Sequence, residues 1–178
     1  LDGQEVLAKN QVDANQHGIA IIVQEIGTLS GLTVAENIFL GQEDPFIHSG
    51  IKNTAAMNKK AQELLDSYGF NRIRASAIID TYNFEDRKLI EIVKATWFNP
   101  KILVVDETTT ALSHSGRDEL FKHMKRLKDL GSCIIFISHD LEEVLEMSDR
   151  VSVLRDGVYI DTVNADDVTT DDLKKLMV

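Results

Sequence analysis

Four short apolar runs, rich in β-branched residues, constrain the fold more than any other feature of the sequence. They are "IAIIV" (19–23), "ILVV" (102–105), "CIIFI" (133–137) and "RVSVL" (150–154). Their brevity predicts strands, and the first three lack polar alternation, which is typical of a parallel sheet covered on both faces. Segments with helical spacing lie between the runs. Strands that alternate with helices predict an α/β fold.

Two of the intervening segments carry apolar residues on one helical face. The first face is formed by Met57, Ala61, Leu64, Leu65 and Tyr68, and the second by Leu120, Met124 and Leu127. Gly69 and Gly131 follow these segments and predict the helix ends. No convincing strand occurs in 42–100, which predicts a helical insertion. We therefore expect an α/β core formed by 1–42 and 101–178, and a helical subdomain at 43–100. The tail has Asp and Thr caps before a short amphipathic helix.

Composition excludes several classes of protein. The net charge of -10 and the absence of long basic runs argue against a nucleic-acid partner. No stretch approaches the roughly 20 apolar residues that span a bilayer, so we expect contact with a membrane only through a partner. Cys133 is the single cysteine, which excludes a disulfide framework and favours a reducing compartment. We interpret its side chain as a small core residue.

Polar residues follow the apolar runs at the points where ligands meet open α/β sheets. Gln24 follows the first run, Asp106 and Glu107 end the second, and His139 follows the third. An apolar strand that ends in Asp-Glu is the pattern by which ATPases hold magnesium with the Asp and orient the attacking water with the Glu. Such residues also commonly cap a turn. His139 could contact a terminal phosphate, and Gln24 could contact metal and water.

With these motifs in order, the sequence resembles the ATP-binding subunits of ABC transporters, most closely those of bacterial ribose- and galactose-type sugar importers. "IIVQEIGTLSGLTVAENIFLGQE" resembles the Q-loop region, with its glutamine at Gln24. "NPKILVVDETTTALS" resembles the Walker B strand and D-loop, with the magnesium ligand at Asp106, the catalytic Glu107, and a D-loop that ends at Ser113. "IIFISHDLEEVLEMSDRVSVLRDG" resembles the switch strand, with its histidine at His139 and an Arg-Asp-Gly turn.

The resemblance implies a P-loop NTPase-type parallel sheet with helices on both faces and a helical subdomain. It implies ATP and Mg²⁺ as ligands, with Asp106 and Gln24 near the metal and Glu107, His139 and Gln24 as the catalytic set. The implied partners are a second nucleotide-binding domain, a transmembrane permease and, indirectly, a sugar-binding protein. The implied location is the inner face of a bacterial cell membrane, with the helical subdomain docked on the permease and Gln24 at its hinge.

Two departures from the family pattern bear on activity. No GxxxxGK[ST] motif occurs in the sequence, so we expect a sheet truncated at the N-terminus and weak or absent ATP binding by this chain alone. Whether the chain itself is an enzyme stays open, whereas the parent protein is expected to be an ATPase. The missing strand would expose inner edges on "CIIFI" and "RVSVL", which predicts that these two strands pair directly or that a second chain fills the gap.

The second departure is the signature motif, which the resemblance aligns with "YNFED" at 82–86. Asn83 and the helix start face the partner domain's γ-phosphate in this alignment, and Glu85 replaces a glycine there. An Asn N-cap stabilises a helix by about 1 kcal/mol and an acidic residue in the first turn by ~0.3–1 kcal/mol, both without any ligand. Two charges ~4 Å apart repel by about 4 kcal/mol at an effective dielectric of 20, so Glu85 disfavours a phosphate. We expect a degenerate signature.

One further substitution lies beside the Walker B motif, where Thr108 replaces the usual proline and can reproduce the turn by side-chain hydrogen bonding. Two other functions remain open. One is an ATP-driven clamp outside transport, and the other is a non-catalytic cassette that acts as an interaction module.

Overall fold

The computed structural model describes all 178 residues, which form two compact units at 1–135 and 136–178. The α-helices are α1 (Gln11–Gln16), α2 (Val34–Ile38), α3 (Thr54–Ser67), α4 (Phe84–Thr96), α5 (His114–Asp129), α6 (Leu141–Met147) and α7 (Thr170–Met177). The strands are β1 (Ile19–Ile22), β2 (Ile47–His48), β3 (Ile51–Lys52), β4 (Ile102–Asp106), β5 (Cys133–Ile137), β6 (Arg150–Arg155) and β7 (Val158–Asn164).

A three-stranded sheet in the order β1-β4-β5 is built from the first three apolar runs. β1 and β4 pair in parallel, with Ile19 opposite Ile102 and Ile22 opposite Val105. Because parallel strands end at the same edge of a sheet, the residues after β1 and the residues at the end of β4 are neighbours. The predicted α/β fold with a parallel sheet is confirmed.

Within this chain the two faces of the sheet are covered unequally. Ala20, Ile22, Leu103 and Val105 are buried, whereas Ile21 is 37% exposed and Ile135 47% exposed. Every residue of β5 is at least partly accessible, and the thiol-bearing Cys133 is exposed rather than part of the core. Apolar side chains on both faces indicate that a strand can be covered twice, but only tertiary packing decides whether a second layer lies against it.

The helical segment follows the predicted pattern. Met57, Ala61 and Leu65 of α3 and the following Tyr68 are buried, Leu64 is half-buried, and Gly69 has a φ of 79° just beyond the helix. The strands β2 and β3 were not predicted, because two-residue strands carry no periodicity; their turn uses positive φ angles at Ser49 and Gly50. The segment lies within the first compact unit, and its status as a separate subdomain stays a prediction.

The face predicted for α5 is also confirmed. Leu120, Met124 and Leu127 are buried, and Gly131 has a φ of 92° after the helix ends. Positive φ angles suit glycine because it lacks a Cβ atom, which explains why this residue marks the end of the helix.

The second unit contains an antiparallel hairpin of β6 and β7, and sequence periodicity missed β7. Asp156 and Gly157 adopt φ angles of 51° and 76° at the hairpin turn, which accounts for the Arg-Asp-Gly sequence. A small core lies under the hairpin and is made of Val144, Val151, Val153, Ala165 and Leu173. α7 begins with the predicted cap, a capping box between Thr169 and Asp172.

The predicted direct pairing of β5 with β6 is wrong: β5 is an edge strand of the β1-β4-β5 sheet, and β6 belongs to a separate two-stranded sheet with β7. The alternative, a second chain that fills an edge, stays a prediction. None of the helices is both long enough and apolar enough to pass through a bilayer.

Candidate functional site

Three of the predicted site residues lie at the carboxyl edge of the parallel sheet. Asp106 is the last residue of β4 and is half-buried, and Glu107 follows it. The Gln24 amide nitrogen donates a hydrogen bond of 2.8 Å to Oε2 of Glu107, across a sequence separation of 83 residues. The parallel pairing of β1 with β4 therefore brings the predicted Q-loop glutamine against the predicted catalytic carboxylate.

The turn after β4 holds the Glu107 backbone in an unusual conformation. Glu107 has φ 42° and ψ 30°, in the left-handed region that few residues other than glycine adopt. The buried Thr108 hydroxyl donates to the carbonyl of Asp106 at 3.2 Å, and the Thr110 hydroxyl donates to the carbonyl of Glu107 at 3.0 Å. The expected hydrogen-bonded turn at Thr108 is thus present. It fixes the direction in which the Glu107 side chain leaves the sheet.

The loop after β1 is held by two charged residues of α4 that sequence reasoning missed. Lys88 is completely buried, and its ammonium donates to the carbonyls of Val23 and Glu25, at 2.8 Å each. Glu91 accepts from the same ammonium at 2.7 Å and from the backbone N–H of Gly27. The available signal was the pair of opposite charges three residues apart within the apolar run "KLIEIV".

The start of α4 is capped as predicted. The Asn83 side chain accepts a 2.8 Å hydrogen bond from the backbone N–H of Asp86, which satisfies one of the helix's first donors. Asp86 is itself nearly buried and pairs with Arg72. The capping side chains of α4 are therefore satisfied without a ligand.

Glu85 contacts the predicted D-loop. Its Oε1 accepts hydrogen bonds from the backbone N–H of Ser113 at 3.1 Å and from the Ser113 hydroxyl at 2.5 Å. A Cβ atom at Gly116 would lie 2.9 Å from the same oxygen, so a glycine there allows the approach. Hydrogen bonding by the Ser113 hydroxyl lowers the pKa of Glu85, with smaller contributions from the Ser113 backbone and from Arg72. The carboxylate thus links the start of α4 to the start of α5.

His139 belongs to the second compact unit, in the segment between β5 and α6. Its side chain is exposed. The following Asp140 caps α6 by accepting from the backbone N–H groups of Glu142 and Glu143, at 3.0 and 3.2 Å. His139 therefore lies just after β5, as predicted. Its contact with a phosphate stays a prediction.

The oxygen atoms at the sheet edge have the chemistry that Mg²⁺ prefers. Asp106 and Glu107 supply carboxylates, and the Gln24 amide oxygen remains available because its nitrogen donates to Glu107. Mg²⁺ is commonly held by one or two carboxylates together with substrate phosphates and water. No cluster of three or more His, Cys, Asp or Glu side chains forms a closed metal cage anywhere in the chain. The carboxylate and amide oxygens of Asp106, Glu107 and Gln24 are donors that fit Mg²⁺ bound together with a phosphate ligand.

The parallel sheet, with Asp106 and Glu107 at the end of one strand and Gln24 in the loop after the neighbouring strand, gives an α/β fold that solved ATP-binding cassettes share. An ATP-binding subunit of an ABC transporter has the same fold, with a TM-score of 0.72 at 18% identity over 90% of this chain and 69% of that one. A dimeric ATP-binding cassette in a post-hydrolysis state, bound to ADP and Pi, aligns with a TM-score of 0.68 at 21% identity over 83% of this chain and 62% of that chain.

Sequence comparison defines the family more closely. A family model described as ABC transporter matches residues 1–110. The ribose import ATP-binding protein RbsA of Clostridium tetani (strain Massachusetts / E88) is 40% identical over 181 residues. RbsA 2 of Escherichia coli O157:H7 is 40% identical over 178 residues. Both alignments include 100% of this chain and 35% of the relative, so the chain spans about a third of these proteins. The chain belongs to the ABC transporter family of ATP-binding domains.

Proposed function

We propose that this chain is part of a nucleotide-binding domain whose parent protein hydrolyses ATP to drive the import of a sugar such as ribose. The chain alone would bind ATP weakly or not at all. The observation that carries this proposal is the 2.8 Å hydrogen bond between Gln24 and Glu107, which joins two family motifs at the edge of the parallel sheet. The 40% identical relatives are named ribose import ATP-binding proteins, which supports a sugar as the imported substrate.

In the proposed reaction, water attacks the γ-phosphorus of ATP, the bond to the β-γ bridging oxygen breaks, and the products are ADP and phosphate. Glu107 would accept the water's proton, and the Gln24 amide would hold the carboxylate in position. The left-handed backbone at Glu107 and the hydroxyls of Thr108 and Thr110 would keep this base fixed. His139 would donate a hydrogen bond to the terminal phosphate.

Asp106 and the Gln24 amide oxygen would hold Mg²⁺. When bound, the ion neutralises charge on the phosphate oxygens and orients them for in-line attack. The chain's own contribution is therefore a fixed carboxylate base beside a pair of hard oxygen ligands.

The proposed partners are a second nucleotide-binding domain, a membrane permease and, through the permease, a sugar-binding protein. The helical segment 43–100 would contact the permease, and its link to Gln24 would transmit the nucleotide state. The domain would act at the cytoplasmic face of the cell membrane.

The signature end of α4 is proposed to be weak. Glu85 is negatively charged and already accepts two hydrogen bonds from Ser113, so a partner's γ-phosphate would have to approach a carboxylate that the chain holds in place. Charge repulsion at that point is of order several kcal/mol at an intermediate dielectric. The ATP site completed by this signature would therefore turn over slowly, whereas the site that contains Glu107 could hydrolyse ATP with an intact opposite signature.

The test is ATPase turnover by the parent protein, reconstituted with its permease, for the wild type and for Glu107→Gln. Loss of the general base should lower kcat by about 100-fold or more. Glu146→Gln, the same substitution at an exposed carboxylate of α6 outside the segment 43–100, is the matched control and should leave kcat unchanged. Equal turnover by wild type and Glu107→Gln would exclude Glu107 as the base. A wild-type protein without ATPase activity would instead favour the non-catalytic interaction module.

A further inference from the structure

The buried Lys88 ammonium uses all of its hydrogens on one loop and one carboxylate. Its acceptors are the carbonyl oxygens of Val23 and Glu25 and the Oε2 atom of Glu91, at 2.8, 2.8 and 2.7 Å. The carbonyl of Gln24 lies slightly farther away, at 3.4 Å. Lys88 is completely buried, and a buried charge is tolerated only when it is paired and fully hydrogen-bonded.

Glu91 extends the same contact along the loop. It is 5% exposed, and while one of its oxygens accepts from Lys88, the other accepts from the backbone N–H of Gly27. A Cβ atom at Gly27 would lie 3.1 Å from that second oxygen, so a small residue suits this position. The ion pair of α4 therefore hydrogen-bonds the loop backbone on both sides of Gln24, at Val23 and Glu25, and again at Gly27.

We propose that Lys88 and Glu91 are positioning residues for the Gln24–Glu107 hydrogen bond. Lys88 hydrogen-bonds the carbonyls of Val23 and Glu25, the residues immediately before and after Gln24. These two hydrogen bonds set the direction in which the Gln24 side chain leaves the loop. That side chain ends on the Glu107 carboxylate. A displacement of α4 would move the loop and change this contact. The catalytic consequence of this inference rests on the proposed function.

A contribution to folding stability does not explain why Lys88 and Glu91 form a buried ion pair. Apolar residues of similar volume commonly replace a buried ion pair at little cost, because the desolvation of two charges offsets their attraction. An apolar pair would fill the same space, but it could not hydrogen-bond the carbonyls of Val23 and Glu25 or the N–H of Gly27. The feature that only the ionic pair provides is the fixed backbone around Gln24.

The test replaces both charges together, as Lys88→Met with Glu91→Met, because removing one partner would leave a buried charge unpaired and could unfold the chain. The matched control is Lys174→Met with Asp171→Met, an exposed pair three residues apart on α7, at 3.1 Å. Circular dichroism and the fluorescence of Trp97 establish that each variant is folded.

The first measurement uses this chain itself and does not depend on activity. Hydrogen exchange by NMR should show the Gly27 amide exchanging at least about tenfold faster in the Lys88/Glu91 variant, because exchange follows local opening. The Gln24 side-chain amide resonances should move as well. The α7 control should change neither. Unchanged exchange at Gly27 together with unmoved Gln24 resonances would overturn the proposal.

The second measurement is ATPase turnover in the parent protein. Residues that orient catalytic groups typically affect activity by about 10- to 100-fold, and we expect a fall of that size in kcat with the KM for ATP unchanged. In a Gln24→Ala background the same pair of substitutions should have almost no further effect. An equal loss in both backgrounds would show a purely structural role. A wild type without ATPase activity would refute the proposed function, and the exchange experiment alone would then decide the positioning role.

Discussion

Acidification should destabilise the first compact unit through His123, a buried residue of α5. The residue is 6% exposed, and its ring stacks on Tyr68 with the ring centroids 3.9 Å apart. The pKa of His123 is lowered from 6.5 to about 4, mainly by burial; Glu119 opposes the shift, and Lys122 and Arg126 contribute to it. Between pH 6.5 and 4, the unfolded chain therefore binds a proton that the folded chain does not.

The sign and size of the effect follow from this difference. Stability from the neutral imidazole is fully present above pH 6.5 and is lost as the pH falls toward 4, because the unfolded state is the one that gains the proton. A shift from 6.5 to about 4 corresponds to about 3 kcal/mol in total, and about 2 kcal/mol of this is lost between pH 7 and pH 5.

The assay is denaturant unfolding at a series of pH values, followed by the fluorescence of Trp97. This residue is the single tryptophan and packs edge-on against Phe39, with the centroids 5.2 Å apart, in the same unit as His123. The comparison variant is His123→Phe, which keeps a ring against Tyr68 and cannot titrate. Its stability should fall about 2 kcal/mol less than that of the wild type between pH 7 and pH 5.

The compared quantity is the slope of stability against pH, so a constant offset caused by repacking around Phe does not affect the result. Parallel slopes for the two proteins would refute the reasoning, because they would mean that the imidazole gains its proton equally in the folded and unfolded chains.

Two further substitutions test individual contacts with the same assay. Glu85→Gln should cost about 1 to 3 kcal/mol at pH 7, because it removes the charge that accepts both hydrogen bonds from Ser113. The pKa of Glu85 is lowered by folding, so this cost should shrink as the pH falls below about 4.5 and through the folded pKa; a cost independent of pH would contradict the charged contact. Asn37→Leu should cost about 1 to 3 kcal/mol, since the buried amide bonds the N–H and carbonyl of Leu29 and the carbonyl of Thr33. A neutral Asn37→Leu would mean that water satisfies these backbone groups.

The sequence located the strand ends that make the candidate site because apolar runs and their polar termini are local signals. Gln24 and Glu107 were expected at one edge, and the parallel register of β1 and β4 brings them to 2.8 Å. The cap by Asn83 was likewise readable, since it needs only a residue three positions ahead. Two-residue strands and the partner of β6 carried no periodicity and were missed.

The clearest error of the sequence analysis was the prediction that the third apolar run, including Cys133, is buried. "CIIFI" is apolar throughout, yet β5 is accessible along its whole length and Cys133 is exposed. Side-chain hydrophobicity records what a residue would gain from burial, whereas burial itself requires another element to lie against it.

Glu85 and Lys88 show the same division within α4. Neighbouring residues alone were enough to place the N-cap of the helix at Asn83 and to predict its acidic first turn. The hydrogen bonds from Ser113 to Glu85 and the contacts of Lys88 with the loop around Gln24 depend on tertiary packing. Capping and periodicity depend on neighbours within a few residues, but these contacts join groups 28 to 65 residues apart, whose meeting depends on how the whole chain packs.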